Sequence, residues 1–149
     1  YQVAIGSENE IADVSALQAV IDNVDNTVGA FAAVQAAATN NDASGITLIT
    51  LSNIDGLTYI DAHLTDYQDA IAAEAFIMNV AALQSLINRV DASLAAFASV
   101  QAAATSGDAS AISVFTLLDI TGLVFNGENE SDYQTAIAAE ASIADVAAL

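Results

Sequence analysis

The chain has no cysteine and no proline, and Arg89 is its only basic residue apart from a single histidine. Without cysteine there is no disulfide framework and no thiol chemistry, which suits an exported bacterial protein that must not cross-link in transit. Without proline, and with only seven glycines, few positions oppose a helix. These absences favour helical structure along most of the chain.

Nineteen acidic residues against one arginine give a formal net charge of −18. Such a surface repels the phosphates of nucleic acids and anionic membranes. No apolar run reaches the roughly 18 residues of a membrane-spanning helix, so we expect no membrane insertion. The opening "YQVAIGSENE" lacks the basic and apolar regions of a signal peptide, and we expect a mature or excerpted piece of protein.

The clearest feature present is an internal repeat. Tyr1, Tyr67 and Tyr133 begin the phrases "YQVAI", "YQDAI" and "YQTAI", at intervals of 66 residues. A gapless period of this length indicates a repeat architecture. The sequence therefore predicts one helical repeat at 1–66, a second at 67–132, and the start of a third at 133–149.

Each repeat is predicted to contain one long and two short helices. The long helix is indicated by apolar residues at alternating gaps of three and four, running from about Ile11 to Ala38. In the first copy this stripe consists of Val14, Leu17, Ile21, Val24, Val28 and Phe31. One short helix, "DYQDAIAAEA", precedes the long helix of the next repeat, with Asp66 or Thr65 as its N-cap.

The other short helix follows the long one, as "TLITLSNI" or "SVFTLLDI". Thr47 and Ser113 are its predicted N-caps, and Gly56 and Gly122 suit a left-handed helix end.

The connection between short and long helices is less defined. Ser142 and Asp145 resemble a capping box, and Gly6 with Asn9 indicates a turn. The corresponding "EAFIMNV" has no evident cap, so a break and a continuous helix both remain open. The predicted fold is all-α, with tandem 66-residue helical repeats stacked as small bundles or a solenoid-like array.

No catalytic residue and no cofactor-binding residue is predicted. His63 has no repeated nucleophile or orienting acid beside it. The acidic pairs Glu8/Glu10 and Glu128/Glu130 lie in polar linkers, where solvation is the simpler interpretation.

The recurrent aromatic residues are interpreted as packing groups. We expect Tyr1, Tyr67 and Tyr133 to pack in the core with their hydroxyls at its rim, the alternative being interface anchors. Phe31 and Phe97 are predicted core residues.

Calcium is the one metal that the sequence brings into question. Asn40, Asp42 and Ser44 follow the first half of an EF-hand loop, but Leu51 stands where a glutamate ligand is needed. A second cluster of oxygen ligands consists of Asn126, Glu128, Glu130 and Asp132. These residue types are also ordinary turn formers. The sequence therefore leaves two interpretations open for each cluster, a calcium site and a plain turn.

Three segments, Leu17–Val24, Thr47–Leu57 and Tyr67–Ala73, recur 66 residues later. Together they resemble the tandem helical repeats of large bacterial cell-surface and biofilm-associated adhesins, and the resemblance covers the whole chain. It implies an extracellular, array-forming structural role and carries over no catalytic residues.

The function expected on this basis is that of a non-enzymatic extracellular segment of a bacterial stalk, fibre or filament. Its partners would be neighbouring repeats or identical subunits arranged head to tail. The last residues, Ile143, Val146 and Leu149, are then expected to be exposed until such a neighbour covers them. The alternative is a helical adhesion module that recognises a host protein or glycan, with or without Ca²⁺.

Overall fold

The computed structural model of the chain describes residues 1–8 and 11–149, and within them the fold is all-α with no strand. Three single 3-10 turns occur at Asp61–His63, Gly127–Asn129 and Val146–Ala148. The α-helices are α1 (Gln2–Ser7), α2 (Val14–Thr39), α3 (Leu48–Ser52), α4 (Leu64–Ala73), α5 (Val80–Ser106), α6 (Val114–Leu118) and α7 (Glu130–Ala139).

The described chain forms two compact units. Unit 1 is Tyr1–Ile87, and unit 2 is Asn88–Leu149. Helix α5 contributes its first turns to unit 1 and the remainder to unit 2. The repeat limits at residues 66 and 132 are drawn from the recurrence of the sequence and not from how compactly the chain packs. They stay a prediction.

The core of unit 1 lies where the second half of α2 packs against α3 and α4. The small side chains Ala37 and Ala38 are buried there, which lets the neighbouring helices approach closely. The first turns of α5 complete this core. Its fully buried large side chains are Val34, Leu51, Ile54, Tyr67, Ile71, Leu83 and Ile87.

Unit 2 has its own cluster of buried apolar side chains, built from the second half of α5 together with α6, α7 and the segment after α7. Phe97, Leu123, Phe125 and Tyr133 are half-buried around it. The buried members are Ala96, Val100, Ala103, Ala104, Ala109, Ile112, Leu117, Ile120, Ile137 and Ile143.

The predicted caps of the second type of short helix are confirmed. The Thr47 hydroxyl accepts a hydrogen bond from the Thr50 amide at 3.2 Å, and Ser113 does the same for Thr116 at 3.3 Å. In both cases the hydroxyl of the N3 threonine accepts a hydrogen bond from the N-cap amide, which completes a capping box.

The helices before and after the uncertain connection are separate. Helix α4 ends at Ala73 and α5 begins at Val80. The side chain of Asn79 accepts a hydrogen bond from the Ala82 amide at 2.8 Å, so "EAFIMNV" does carry a cap. Asp13 and Asp145 cap the corresponding turns, through the amides of Ala16 and Ala148.

These caps correct three details of the sequence prediction. The long helix begins at Val14 rather than near Ile11, because Asp13 has an extended backbone and its carboxylate caps the first turn of the helix. The proposed box between Ser142 and Asp145 is wrong, because Asp145 is itself the N-cap. Gly6 lies within α1, and its predicted turn partner Asn9 lies outside the described residues, as does Glu10.

Helix α4 also begins earlier than predicted, at Leu64. Thr65 and Asp66 therefore lie in its first turn instead of capping it, and the carboxylate of Asp66 is placed where the helix dipole favours an anion.

Gly56 and Gly122 adopt positive φ angles of 76° and 86°, which favour glycine. They lie beyond the C-caps Asn53 and Asp119, whose backbone is right-handed. The glycines therefore shape the turn that follows each short helix and do not end the helix itself.

The expectation that the last residues lie exposed is wrong. Ile143 is only 4% exposed, and Val146 and Leu149 pack against the cluster of unit 2. The side-chain amide of Gln101 donates a hydrogen bond to the carbonyl oxygen of Ile143 at 2.9 Å, which holds the segment on its own unit.

Leu83 and Leu17 occupy corresponding places in α5 and α2 but differ in burial. Leu83 is 0% exposed, whereas Leu17 is half-buried. Removal of a fully buried leucine leaves a cavity, and partial exposure reduces that effect.

We predict that Leu83→Ala lowers the free energy of unfolding by about 2–5 kcal/mol, and that Leu17→Ala lowers it distinctly less. Urea unfolding of the two variants and the wild type, followed by circular dichroism in dilute solution, measures both changes. Equal losses would contradict the difference in packing.

Candidate functional site

The first calcium candidate closes a turn with its own side chains. One carboxylate oxygen of Asp42 accepts hydrogen bonds from the Ser44 amide at 3.0 Å and the Ser44 hydroxyl at 2.7 Å. Asn40 is the C-cap of α2, and Asn41 takes a positive φ of 52°. These residues therefore have structural roles in the turn that follows α2.

Hydrogen bonds from Ser44 lower the pKa of Asp42, and those from Ser110 lower the pKa of Asp108. A carboxyl group with a lowered pKa in the folded state stabilises the fold above its unfolded pKa. That contribution is lost as pH falls through the folded value. Both groups are at the surface, so solvent screening keeps the effect small.

The second calcium candidate is spread along the start of α7. Asn126 accepts from the Glu128 amide at 3.1 Å and caps the 3-10 turn. Glu130 accepts from the Val114 amide at 3.1 Å, so its carboxylate caps the start of α6. Glu128 and Asp132 are exposed. Over residues 1–8 and 11–149, no three His, Asp or Glu side chains come together to hold a metal ion.

The histidine and two of the periodic tyrosines make contacts near the exit segments of the two units. The ring of His63 meets that of Tyr67 edge-on, with 6.1 Å between centroids. Tyr67 is 1% exposed and its hydroxyl accepts from the Ile60 amide at 3.0 Å. Tyr133 accepts likewise from Asn126 at 2.9 Å. The core interpretation is confirmed for Tyr67, whereas Tyr133 is half-buried.

Two aromatic predictions need correction. Tyr1 is exposed and its hydroxyl donates to the Asp25 carboxylate, which raises the pKa of Tyr1. Phe31 and Phe97 are half-buried rather than core residues, and Phe97 packs against the buried cluster of unit 2.

Sequence reasoning missed a set of glutamines that join separate segments by binding backbone carbonyls. Gln68 donates to the Ile46 carbonyl at 2.6 Å, and Gln134 donates to that of Ile112 at 2.7 Å. Gln35 donates to the Ile77 carbonyl at 2.9 Å, as Gln101 does to Ile143. The recurrence of these glutamines at the 66-residue interval was the signal that could have identified them.

A fifth glutamine joins α5 to the exit segment after α3. The Gln84 carbonyl oxygen accepts from the Thr58 amide at 2.7 Å, and its amide nitrogen donates to the Thr58 carbonyl at 2.9 Å. Gln18, at the corresponding place in α2, instead donates to Asp22 in its own helix at 2.7 Å. Gln84 therefore holds the exit segment against α5, whereas the hydrogen bond of Gln18 stays within α2.

Two apolar surfaces remain open in the described chain. The first, which we name the α2 face, is the first half of α2, where Leu17, Val20 and Ile21 are half-buried and Val14 is 82% exposed. The second, which we name the unit 2 groove, is a pocket lined by Leu117, Leu123, Val124, Phe125, Tyr133 and Leu149.

Compared with protein-family models, with curated proteins and with solved structures, the chain matches none of them. None of the helices in the described part of the chain combines the length and the hydrophobicity that crossing a bilayer requires.

We predict that Gln68→Ala destabilises the chain by about 1–3 kcal/mol, because the carbonyl of buried Ile46 loses its hydrogen-bond donor. Gln2→Ala is the matched control, since Gln2 occupies the corresponding position in α1 and is exposed. Thermal unfolding by circular dichroism compares the two. A similar small effect of both substitutions would show that the glutamine contact contributes little.

We expect added salt to stabilise the protein. The charge of −18 opposes the compact state, and the screening length falls from about 10 Å at 0.1 M to about 3 Å at 1 M salt. Thermal melts in NaCl, and in Ca²⁺ or Mg²⁺ at matched ionic strength, separate screening from a calcium site. A rise in melting temperature with Ca²⁺ alone would point to Asn40–Ser44 or Asn126–Asp132, and no rise with any salt would contradict the repulsion argument.

Proposed function

We propose that the chain is a non-enzymatic structural segment built of tandem 66-residue helical repeats, and that it serves in a stalk, fibre or filament on a bacterial surface. Its work is to maintain distance and to carry other parts of an assembly. Each repeat consists of a short helix, a long helix, a second short helix that begins with a capping box, and an exit segment.

The observation that carries this proposal is the recurrence of side-chain-to-backbone contacts. Hydrogen bonds made by Gln35, Gln68 and Tyr67 are made again by Gln101, Gln134 and Tyr133, on partners that are also 66 residues further on. Contacts between distant segments recur in this way when each period of sequence builds the same local unit.

The packing of α5 explains how one repeat would support the next. The first turns of α5 bury Leu83, Leu86 and Ile87 in unit 1, beside residues that come before α5 in the chain. The start of each long helix is thus stabilised by the preceding repeat. This dependence makes repeats add in one direction, which suits a structural array.

The surface location and the resemblance to adhesin repeats belong to the same proposal. A cysteine-free chain is insensitive to the redox state of its surroundings. An excess of acidic groups favours solubility and is screened best in a saline exterior. Two of the acidic side chains considered for a site have structural partners: Glu130, from a possible acid–base pair, binds the Val114 amide, and Asp42, a calcium candidate, binds Ser44.

A second function, a helical adhesion module for a host protein or glycan, is favoured by one observation. Ile49 in α3 and Phe115 in α6 occupy corresponding positions and are 73% and 77% exposed. An apolar side chain presented to solvent at the same place in both copies suits a repeated contact with a ligand. The double variant Ile49→Ser with Phe115→Ser would lose adhesion to a panel of glycans and matrix proteins while keeping its helicity.

The structural function predicts additive growth. Residue 149 corresponds to position 17, so joining Leu149 to Gln18 of a second copy continues the period without a gap. We expect the maximum dimension measured by small-angle X-ray scattering to increase by a constant step for each added copy, and the fusion to stay monomeric and helical.

A fusion whose second copy is shifted by two residues, with Leu149 joined to Val20, is the matched control, because it places the polar residues Asp22 and Asn23 where Val20 and Ile21 belong. Equal dimensions and equal stability for the two fusions would contradict the tandem architecture.

A further inference from the structure

The turn that leads into α7 contains the only Asn-Gly pair of the sequence, at Asn126 and Gly127. Both residues are exposed. Asparagine is a chemically labile residue, and glycine has no side chain to hinder the approach of its backbone nitrogen to a neighbouring group. In such a pair the glycine nitrogen can reach the side-chain amide carbon of the asparagine. The pair is therefore reactive wherever the backbone is free to turn.

The fold does not require this pair, because Ile60 and Asp61 build the corresponding turn in unit 1. The backbone has φ −107° and ψ 117° at Ile60, against φ −104° and ψ 113° at Asn126. Each turn is closed by a backbone hydrogen bond, from His63 to Ile60 at 2.9 Å and from Asn129 to Asn126 at 3.0 Å. Ile60 is 48% exposed, so this position faces solvent in both units.

We propose that Asn126 is a site of spontaneous deamidation and that the hydrogen-bonded turn around it controls the rate. The backbone nitrogen of Gly127 gives up its proton to solvent and attacks Cγ of Asn126. The bond between that nitrogen and Cγ forms, the bond from Cγ to the side-chain nitrogen breaks, and ammonia leaves with a proton from solvent. Water then opens the cyclic imide at either of its carbonyl groups, which gives aspartate or isoaspartate. The net reaction consumes water and releases ammonia, so it needs no enzyme and no cofactor.

Hydrogen bonds hold Asn126 away from the reactive conformation. Its backbone amide donates to the Tyr133 hydroxyl at 2.9 Å, and its side-chain oxygen accepts from the Glu128 amide at 3.1 Å. Its backbone carbonyl accepts from the Asn129 amide at 3.0 Å. With ψ at 113° the Gly127 nitrogen points away from the Asn126 side chain, whereas ring closure needs a negative ψ that brings this nitrogen beside Cβ. The reaction therefore proceeds from a locally opened turn, and its rate follows the fraction of molecules in which the turn is open.

The two products affect the turn differently. Aspartate adds a negative charge to a chain of net charge −18 but keeps a side-chain oxygen that can cap the Glu128 amide. Isoaspartate routes the main chain through the side-chain carbon, which lengthens the backbone and displaces the residues after it relative to Tyr133. The reaction thus loosens the start of α7 as the protein ages, while the corresponding turn at Ile60 stays unchanged.

Peptide mapping by mass spectrometry tests the proposal on the intact chain, after incubation in mildly alkaline buffer with and without urea. In urea we expect Asn126 to be lost several times faster than any other asparagine, and Gly127→Ala to abolish this excess. The fold tolerates the alanine, since its methyl group would meet Val114 at an ordinary contact distance of 3.5 Å. In the folded chain we expect Asn126 to be lost more slowly than in urea.

Tyr133→Phe removes one hydrogen bond of the turn and leaves the aromatic ring in place. We expect this variant to speed the loss of Asn126 from the folded chain about fivefold, which is the change in open fraction that one lost hydrogen bond produces. Tyr67→Phe is the matched control, because the Tyr67 hydroxyl binds the Ile60 amide in the other unit, and it leaves the rate unchanged. Circular dichroism selects a temperature at which both variants stay fully folded.

Equal rates of loss in the folded chain and in urea, or no effect of Tyr133→Phe, would overturn the control of the reaction by the turn. A faster loss at another asparagine in urea would overturn the site itself.

Discussion

The start of α5 depends on an apolar surface that lies outside the helix. Leu83, Leu86 and Ile87 are buried in the first turns of α5 because α3, α4 and the exit segment of unit 1 are packed around the same core. The corresponding turns of α2 have no such surface in the described chain, and their leucine, valine and isoleucine side chains stay partly exposed. A helix of this length needs tertiary packing for most of its stability, so this burial decides which half of it is firmly held.

Polar side chains set the positions of the elements that supply this surface. Caps at Asp13, Asn79 and Asp145 begin each segment at the same point of the sequence. Glutamines bind carbonyls of segments far away in the chain, so they fix the register that apolar packing alone leaves adjustable. The glutamine contacts use neutral amides, so they neither titrate nor depend on redox state.

The sequence predicted the helical class and the placement of the Thr47 and Ser113 caps, because periodicity and capping are local properties of the chain. It did not predict the fold-back of Ile143, which depends on a hydrogen bond from Gln101 across 42 residues. It also placed Phe31 and Phe97 in the core, since a heptad stripe gives the apolar face of a long helix and not how completely its neighbours cover each side chain. The acidic clusters were considered as calcium ligands. In the structure the Asp42 carboxylate accepts a hydrogen bond from Ser44, and the Glu130 carboxylate accepts one from the Val114 amide. Val114 is 16 residues away in the chain, so only folding brings it near Glu130.

The most direct test of this account is hydrogen–deuterium exchange of the two long helices in dilute protein, where separate copies do not associate. The account predicts slow exchange in α5 over residues 83–90 and much faster exchange in α2 over residues 17–24, because opening free energy follows the burial of apolar contacts. Equal protection of the two segments would show that α2 is stable without a neighbour. That result would contradict the claim that the start of α5 depends on the surface before it.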